Sequence, residues 1–273
     1  TLAYFLGACL CLPWHDNPLE LEVREKPVES LVLDWETDEY IFKWYISQMK
    51  RGMLKDSTFS LHYRKCRLPL AEELEAIEQI IKTTGVELLI IDSLAAAAGG
   101  ESGELKGSQS ALQFNSALRK LGKTSLIIAQ TSKDTESKRK TIYGSVIFTY
   151  YARNIFELCR GEDNYEEIQH LAVFHRECNL GKRYPPLGVK VSHNDANRSI
   201  TMEREPLDIS EFTTKINTQA RVLDLLKRGA MSQKDIQDSL ELTTGNTRLV
   251  IHRLKSSNKI VKVNDNAWGL ISF

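Results

Sequence analysis

The stretch GVELLIIDSLAAAAGG at residues 85–100 constrains the fold more than any other part of this chain. Leu88, Leu89, Ile90 and Ile91 stand in a row, and a single carboxylate, Asp92, follows before the chain gives way to small residues. A half-buried strand alternates apolar and polar residues. An unbroken aliphatic run predicts instead a strand covered on both faces, as in a parallel sheet between helix layers. An acid at the C-terminal end of such a strand lies where open α/β sheets bind their ligands. Taken alone, Asp92 serves equally well as a cap for the next turn, and the rest of the chain has to decide.

The neighbouring segments supply the sheet and its helices. SLVLDWE (30–36) predicts a strand ending in acids, and STFSLHYRK (57–65) alternates as a strand does. Residues 2–12 predict a buried helix that stops before Pro13, and residues 38–52 carry apolar residues at helical spacing up to Gly52. PLAEELEAIEQIIKTTG (69–85) has proline near its start, acids in its first turn and glycine past its end, the marks of an amphipathic helix. A helix over 111–122, a strand over 125–130, a charged loop over 131–145 and a helix over 146–152 follow, then the strands NIFELCR and LAVFHRE. Such alternation predicts an α/β domain over 1–205, a mostly parallel sheet flanked by helices. Beyond Pro206 the texture changes. Residues 206–217 predict a linker, and 218–273 a small α+β domain of three short helices and a terminal hairpin turning at 264–266.

Composition narrows the partners little. The chain has 273 residues with 36 basic and 36 acidic side chains, so its net charge points to neither nucleic acid nor a membrane. Residues 218–273 nevertheless hold nine Lys/Arg against five Asp/Glu, a small positive surplus suited to an anionic partner. No apolar stretch approaches the ~20 residues of a membrane span. Cys9, Cys11, Cys66, Cys159 and Cys178 are odd in number and lack a CxxC pair, which predicts reduced thiols in a cytoplasmic protein. The six histidines never stand at ligand spacing, so no transition-metal site is expected. Trp14, Trp35 and Trp44 lie near element ends and are expected in the core.

Asp92 has company at the strand ends. LVLDWE puts Glu36 at the end of a second apolar strand, and SLIIAQTSK puts Gln130 at the end of a third. In a parallel sheet all three project from one rim. A carboxylate that holds Mg²⁺, a second that activates water and an amide that senses a γ-phosphate suit nucleoside triphosphate hydrolysis.

In order and residue type these elements resemble the RecA-like ATPase core of recombinases, DnaB-type replicative helicases and plasmid RepA-type hexameric helicases. LLIIDSL resembles the Walker B strand of that family, LIIAQTSK its sensor strand, and LVLDWETDE the strand carrying its catalytic glutamate. YGSVIFTYYARNIFELCR is similar to a RepA-type stretch in which Gly-Ser opens a helix leading to an arginine and a strand. The resemblance implies ATP and Mg²⁺ as cofactors, with Asp92 on the metal, Glu36 at the attacking water and Gln130 as sensor. The family's G-x-x-x-x-G-K-[ST] loop, whose backbone N–H groups cradle phosphates, is absent from these 273 residues. TLAYFLGACL resembles the helix that GKS or GKT opens in that family, so Thr1 is either the Mg²⁺-binding hydroxyl residue or the one just after it. The expectation is a chain cut just behind that loop; the alternative is a degenerate homologue that never had one.

Two basic groups fall to the same resemblance, and a third set of residues to a separate one. Lys133, Lys138, Arg139 and Lys140 lie where the family turns loops toward DNA, although a solvated surface loop fits them as well. Arg176, Lys182 and Arg183 in HRECNLGKRYPP lie where ring helicases present a basic finger to a neighbour's ATP, although a hairpin turn with exposed basic residues fits them equally well. Residues 218–273 look like a winged helix-turn-helix, whose third helix offers Asn246, Thr247, Arg248 and Arg253 to a groove or its phosphates, although winged helices also serve protein contacts. The resemblance thus implies a DNA-acting motor of replicative-helicase type, a homo-oligomeric, hexameric ring with no membrane partner. The alternative is a DNA-binding regulator or loader whose ATPase domain is no motor.

Overall fold

Two apolar runs, each closed by an aspartate, lie side by side at the centre of the first unit. In this computed structural model the described residues are 2–54, 59, 61–99, 108–131, 142, 146–161, 167–207, 218–227, 229–240, 242–263 and 267–271. The chain divides into two compact units, Thr1–Leu207 and Asp208–Phe273.

The first unit contains a parallel sheet of β1 (Ser30–Asp34), β2 (Leu61–Lys65), β3 (Leu88–Asp92) and β4 (Thr124–Ile128), in the order β2-β1-β3-β4. Alternation along its central strands builds two cores. Leu31, Leu33, Leu89 and Ile91 face one way, into a core with α3 (Leu74–Thr84), α4 (Leu94–Ala97), α5 (Ser108–Leu121) and α6 (Ile147–Tyr151). Val32, Leu88 and Ile90 face the other way, toward α1 (Leu2–Cys11) and α2 (Glu39–Met49). Both faces of β3 are therefore covered, which is why its sequence shows no alternation. Helix α3 stops at Gly85, whose φ of 72° supplies the left-handed C-cap.

Strand alternation with helices ends at β4, and here the expected pattern is corrected. β5 (Asn154–Arg160), β6 (Ile168–Cys178), β7 (Leu187–Asn194) and β8 (Ser199–Glu205) form a separate antiparallel sheet in sequential order. The links between β6, β7 and β8 are too short for the dozen or more residues of a parallel crossover, so the chain has to turn back on itself. Val189, Val191, Ile200 and Met202 of this sheet complete the core shared with α1 and α2. A π-helical turn, Lys50–Leu54, extends α2 across β8. Gly52 lies there against backbone: a Cβ would stand 2.1 Å from the Ile200 carbonyl oxygen.

The second unit has its own core of Val222, Leu226, Ile236, Val250, Ile251, Leu254 and Ile260. Its elements are α7 (Thr218–Lys227), β9 (Met231–Ser232), α8 (Gln233–Ser239), α9 (Thr244–Ser256), β10 (Ile260–Lys262) and β11 (Ala267–Leu270). The three strands pair antiparallel in the order β10-β11-β9. A capping box of Ser232 and Asp235 opens α8. Among the described residues no helix is long and apolar enough to cross a membrane.

Candidate nucleotide site

The parallel register fixes the rim. Asp34 pairs with Asp92, and Asp92 with Ile128, so the C-terminal tips of β1, β3 and β4 stand side by side. Glu36 and Gln130 each lie two residues past such a tip, on the same edge as Asp92, and both are exposed. Glu36 is not the end of its strand, as the sequence suggested. Pairing stops at Asp34, and Glu36 rides on the turn that comes next.

That turn is held from three sides. Asp34 is fully buried; its Oδ1 accepts the backbone amides of Glu36 and Thr37, each at 2.8 Å. Its Oδ2 accepts the Thr37 hydroxyl at 2.5 Å and the Tyr63 phenol at 3.0 Å. Burial, and then the hydrogen bond and charge of Asp34, push the Tyr63 pKa up, so the phenol stays a donor. The Trp35 amide donates to the Asp92 carbonyl at 2.6 Å, and its indole N–H to the Leu68 carbonyl at 2.8 Å. The Leu68 loop is secured in turn by Glu73, whose Oε1 accepts the amides of Arg67 and Leu68 while its Oε2 pairs with Arg64. Burial opposes the charge on Glu73, but those hydrogen bonds outweigh it and leave the carboxyl below its ordinary range.

Held in this way, the Glu36 carboxylate accepts a hydrogen bond from the Ser93 hydroxyl at 2.5 Å, next to Asp92. The Asp92–Ser93 peptide is cis. Asp92 is half-buried, and its pKa is raised by burial, then by the charges of Asp34 and Glu36. A divalent cation would relieve that crowding of negative charge, so Asp92 fits a Mg²⁺ role. Among the described residues no group of three or more His, Cys, Asp and Glu is placed to hold a metal by itself.

The other candidates divide. Thr1, Lys133, Lys138, Arg139 and Lys140 lie outside the described residues. Arg176 is half-buried, paired with Glu157 at 2.5 Å and stacked over Phe174, so it is built into the sheet. Lys182 and Arg183 are exposed on the β6–β7 connection, where Arg183 donates to the Arg176 carbonyl. Asn246, Arg248 and Arg253 are exposed on α9. Thr247 is not: it is fully buried and its hydroxyl donates to the Thr243 carbonyl, which removes it from any groove. Trp44 is likewise no core residue, being 43% exposed, whereas Trp35 and Trp14 pack against the two cores. No disulfide joins the five cysteines, and burial pushes the thiols of Cys9 and Cys66 up to about 12.

Sequence reasoning missed Asp34, Ser93 and Tyr63. A signal for Asp34 was present: SLVLD and LLIID are two apolar runs that both end on aspartate.

Residues 1–136 match the family profile described as an AAA domain. No curated protein matches the chain. Among solved structures, a KaiC-like protein from the hyperthermophilic archaeon Pyrococcus horikoshii OT3 is similar, with a TM-score of 0.48 and 15% identity over 74% of this chain and 83% of that one. The parallel sheet with helices on both faces is of the α/β class, and residues 1–136, which contain it, are similar to an AAA domain.

Proposed function

We propose that this chain belongs to an ATP-driven motor acting on DNA, of the replicative-helicase kind typified by RepA, that works as a hexameric ring. The observation that carries the reading is the common rim of Asp92, Glu36 and Gln130, with Glu36 tied to the residue beside Asp92. Asp92 would hold Mg²⁺, and Thr1 is its proposed hydroxyl partner. When bound there, the ion would supply the positive charge that a transferred phosphoryl group needs. Glu36, exposed on the rim, orients the attacking water and takes its proton. Gln130 contacts the γ-phosphate as a neutral amide and passes its presence on to the segment bearing Lys133, Lys138, Arg139 and Lys140, which we assign to DNA. Because Arg176 is occupied by Glu157, Lys182 or Arg183 is the better finger toward a neighbouring subunit's ATP. One observation favours the second reading, a DNA-binding regulator or loader. The C-terminal unit, which we read as a winged helix, has a core of its own and presents Asn246, Arg248 and Arg253.

The test is DNA-stimulated ATPase of the full-length gene product with Glu36→Gln. The expected loss in kcat is about 100-fold or more, in the range set by a general base, with nucleotide affinity retained. An unchanged rate removes Glu36 from this role. Strand displacement separates motor from loader, because a loader hydrolyses ATP and unwinds nothing.

A further inference from the structure

We propose that Asp34 is a positioning residue: it clamps the turn 35–37 so that the Glu36 carboxylate is delivered to the rim, and it touches neither nucleotide nor metal itself. The inference rests on the reading of Glu36 given above. Every acceptor position of Asp34 that the structure describes is used by the chain's own donors. Two backbone amides meet Oδ1, and two hydroxyls meet Oδ2. The residue is fully buried, so no face is left over for a ligand. Asp92 beside it is the opposite case, half-buried with no described donor on its carboxylate. Two aspartates equivalent in register are thereby divided between two tasks, one structural and one facing the site.

The clamp acts at one residue's remove. The two amides that Asp34 accepts belong to Glu36 itself and to Thr37, so losing the carboxylate frees the backbone that aims the Glu36 side chain. Trp35 remains tethered to Asp92 and Leu68 in that event, so the turn loosens without leaving the sheet. Asparagine at this position keeps the Oδ1 acceptor. The Thr37 and Tyr63 hydroxyls, which accept as well as donate, can turn to meet its amide.

The experiment compares Asp34→Ala, Asp34→Asn, Glu36→Gln and the double variant Asp34→Ala/Glu36→Gln. Amide hydrogen exchange is followed in nucleotide-free protein, and kcat and KM for ATP in the full-length gene product. Asp34→Ala is expected to speed exchange at Glu36 and Thr37 by about tenfold, the loss of one good hydrogen bond each. Its kcat should fall toward that of Glu36→Gln while KM changes by less than about threefold. The double variant should be no slower than Glu36→Gln, because the clamp works only through that glutamate. Asp34→Asn should keep slow exchange and most of the rate.

Asp34→Asn as damaging to kcat as Asp34→Ala, with exchange unchanged, would overturn the proposal and make Asp34 a charge acting at the nucleotide. Additive losses in the double variant would overturn it too. An undiminished rate in Glu36→Gln instead removes the reading of Glu36, while the exchange arm still judges the clamp. Should Asp34→Ala fail to fold, Thr37→Val and Tyr63→Phe each remove one donor from Oδ2 and are expected to give the same ordering with smaller effects. No acceleration of exchange in either would sink the clamp.

Discussion

At the scale of single residues, the rim holds charge that folding alone would not choose. Asp92 is kept near Asp34 and Glu36 in a half-buried place, and its raised pKa means the folded state disfavours its ionised form. A carboxyl whose pKa rises on folding adds stability below its unfolded value and loses it as pH climbs through the folded value. Asp92→Asn should therefore raise Tm at pH 7, because the neutral amide escapes the burial and the charges of Asp34 and Glu36 that disfavour the carboxylate. The gain should shrink as the pH falls toward 4. The same variant should lose Mg²⁺-dependent nucleotide binding. Calorimetry across pH, with Mg·ADP binding at neutral pH, checks both halves, and a variant less stable than wild type at pH 7 would remove the argument from charge crowding. Asp92 was legible in the sequence because four aliphatic residues isolate it. Glu36 was misplaced by two residues because Asp34, Trp35 and Glu36 are consecutive, and hydropathy does not say where pairing ends. Thr247 could have been found buried from spacing alone, since Val250, Ile251 and Leu254 come three, four and seven residues later on one face of α9.

At the scale of elements, hydrophobic period and turn chemistry were enough for the parallel sheet. β1 and β3 announce themselves as unbroken apolar runs, and α3 by its amphipathic period and its terminal glycine. The antiparallel sheet was not legible as a separate layer, because a strand's sequence does not name its partner. Only the short links between β6, β7 and β8 hint that it pairs with its neighbour. Equally hidden is the close approach of Gly52 to β8, which depends on two segments far apart in the chain meeting backbone to backbone. Gly52→Ala would drive a methyl into the Ile200 carbonyl. Backbone cannot yield as a flexible side chain does, so the π-helical turn must lift off the sheet and open the core around Met49, Ile200 and Met202. The expected cost is about 2–4 kcal/mol, read as a drop in denaturant midpoint with an unchanged slope. A stability within about 0.5 kcal/mol of wild type, the range of ordinary surface substitutions, would mean that the turn packs more loosely than this.

At the scale of the whole molecule, charge and architecture divide the work between two units. The first concentrates acids on one rim and contains the stretch similar to an AAA domain, while 218–273 carry a surplus of basic residues around a separate core. With seven buried apolar side chains, a capping box and a three-stranded sheet among its described residues, the fragment 208–273 is expected to unfold cooperatively on its own, which its thermal melt checks. If that unit reads DNA through α9, the excised fragment should bind duplex DNA weakly, and its affinity should fall steeply between 50 and 200 mM salt. Arg248→Ala and Arg253→Ala, both exposed, should each lower affinity across sequences and reduce the salt slope by about 1. Thr247→Val should leave the slope untouched, because that hydroxyl is spent inside the helix. A cooperatively folded fragment with no measurable affinity at 50 mM salt would turn the balance of charge to another use. The second unit would then be a surface for protein contacts, and any grip on DNA would rest with the ATPase unit alone.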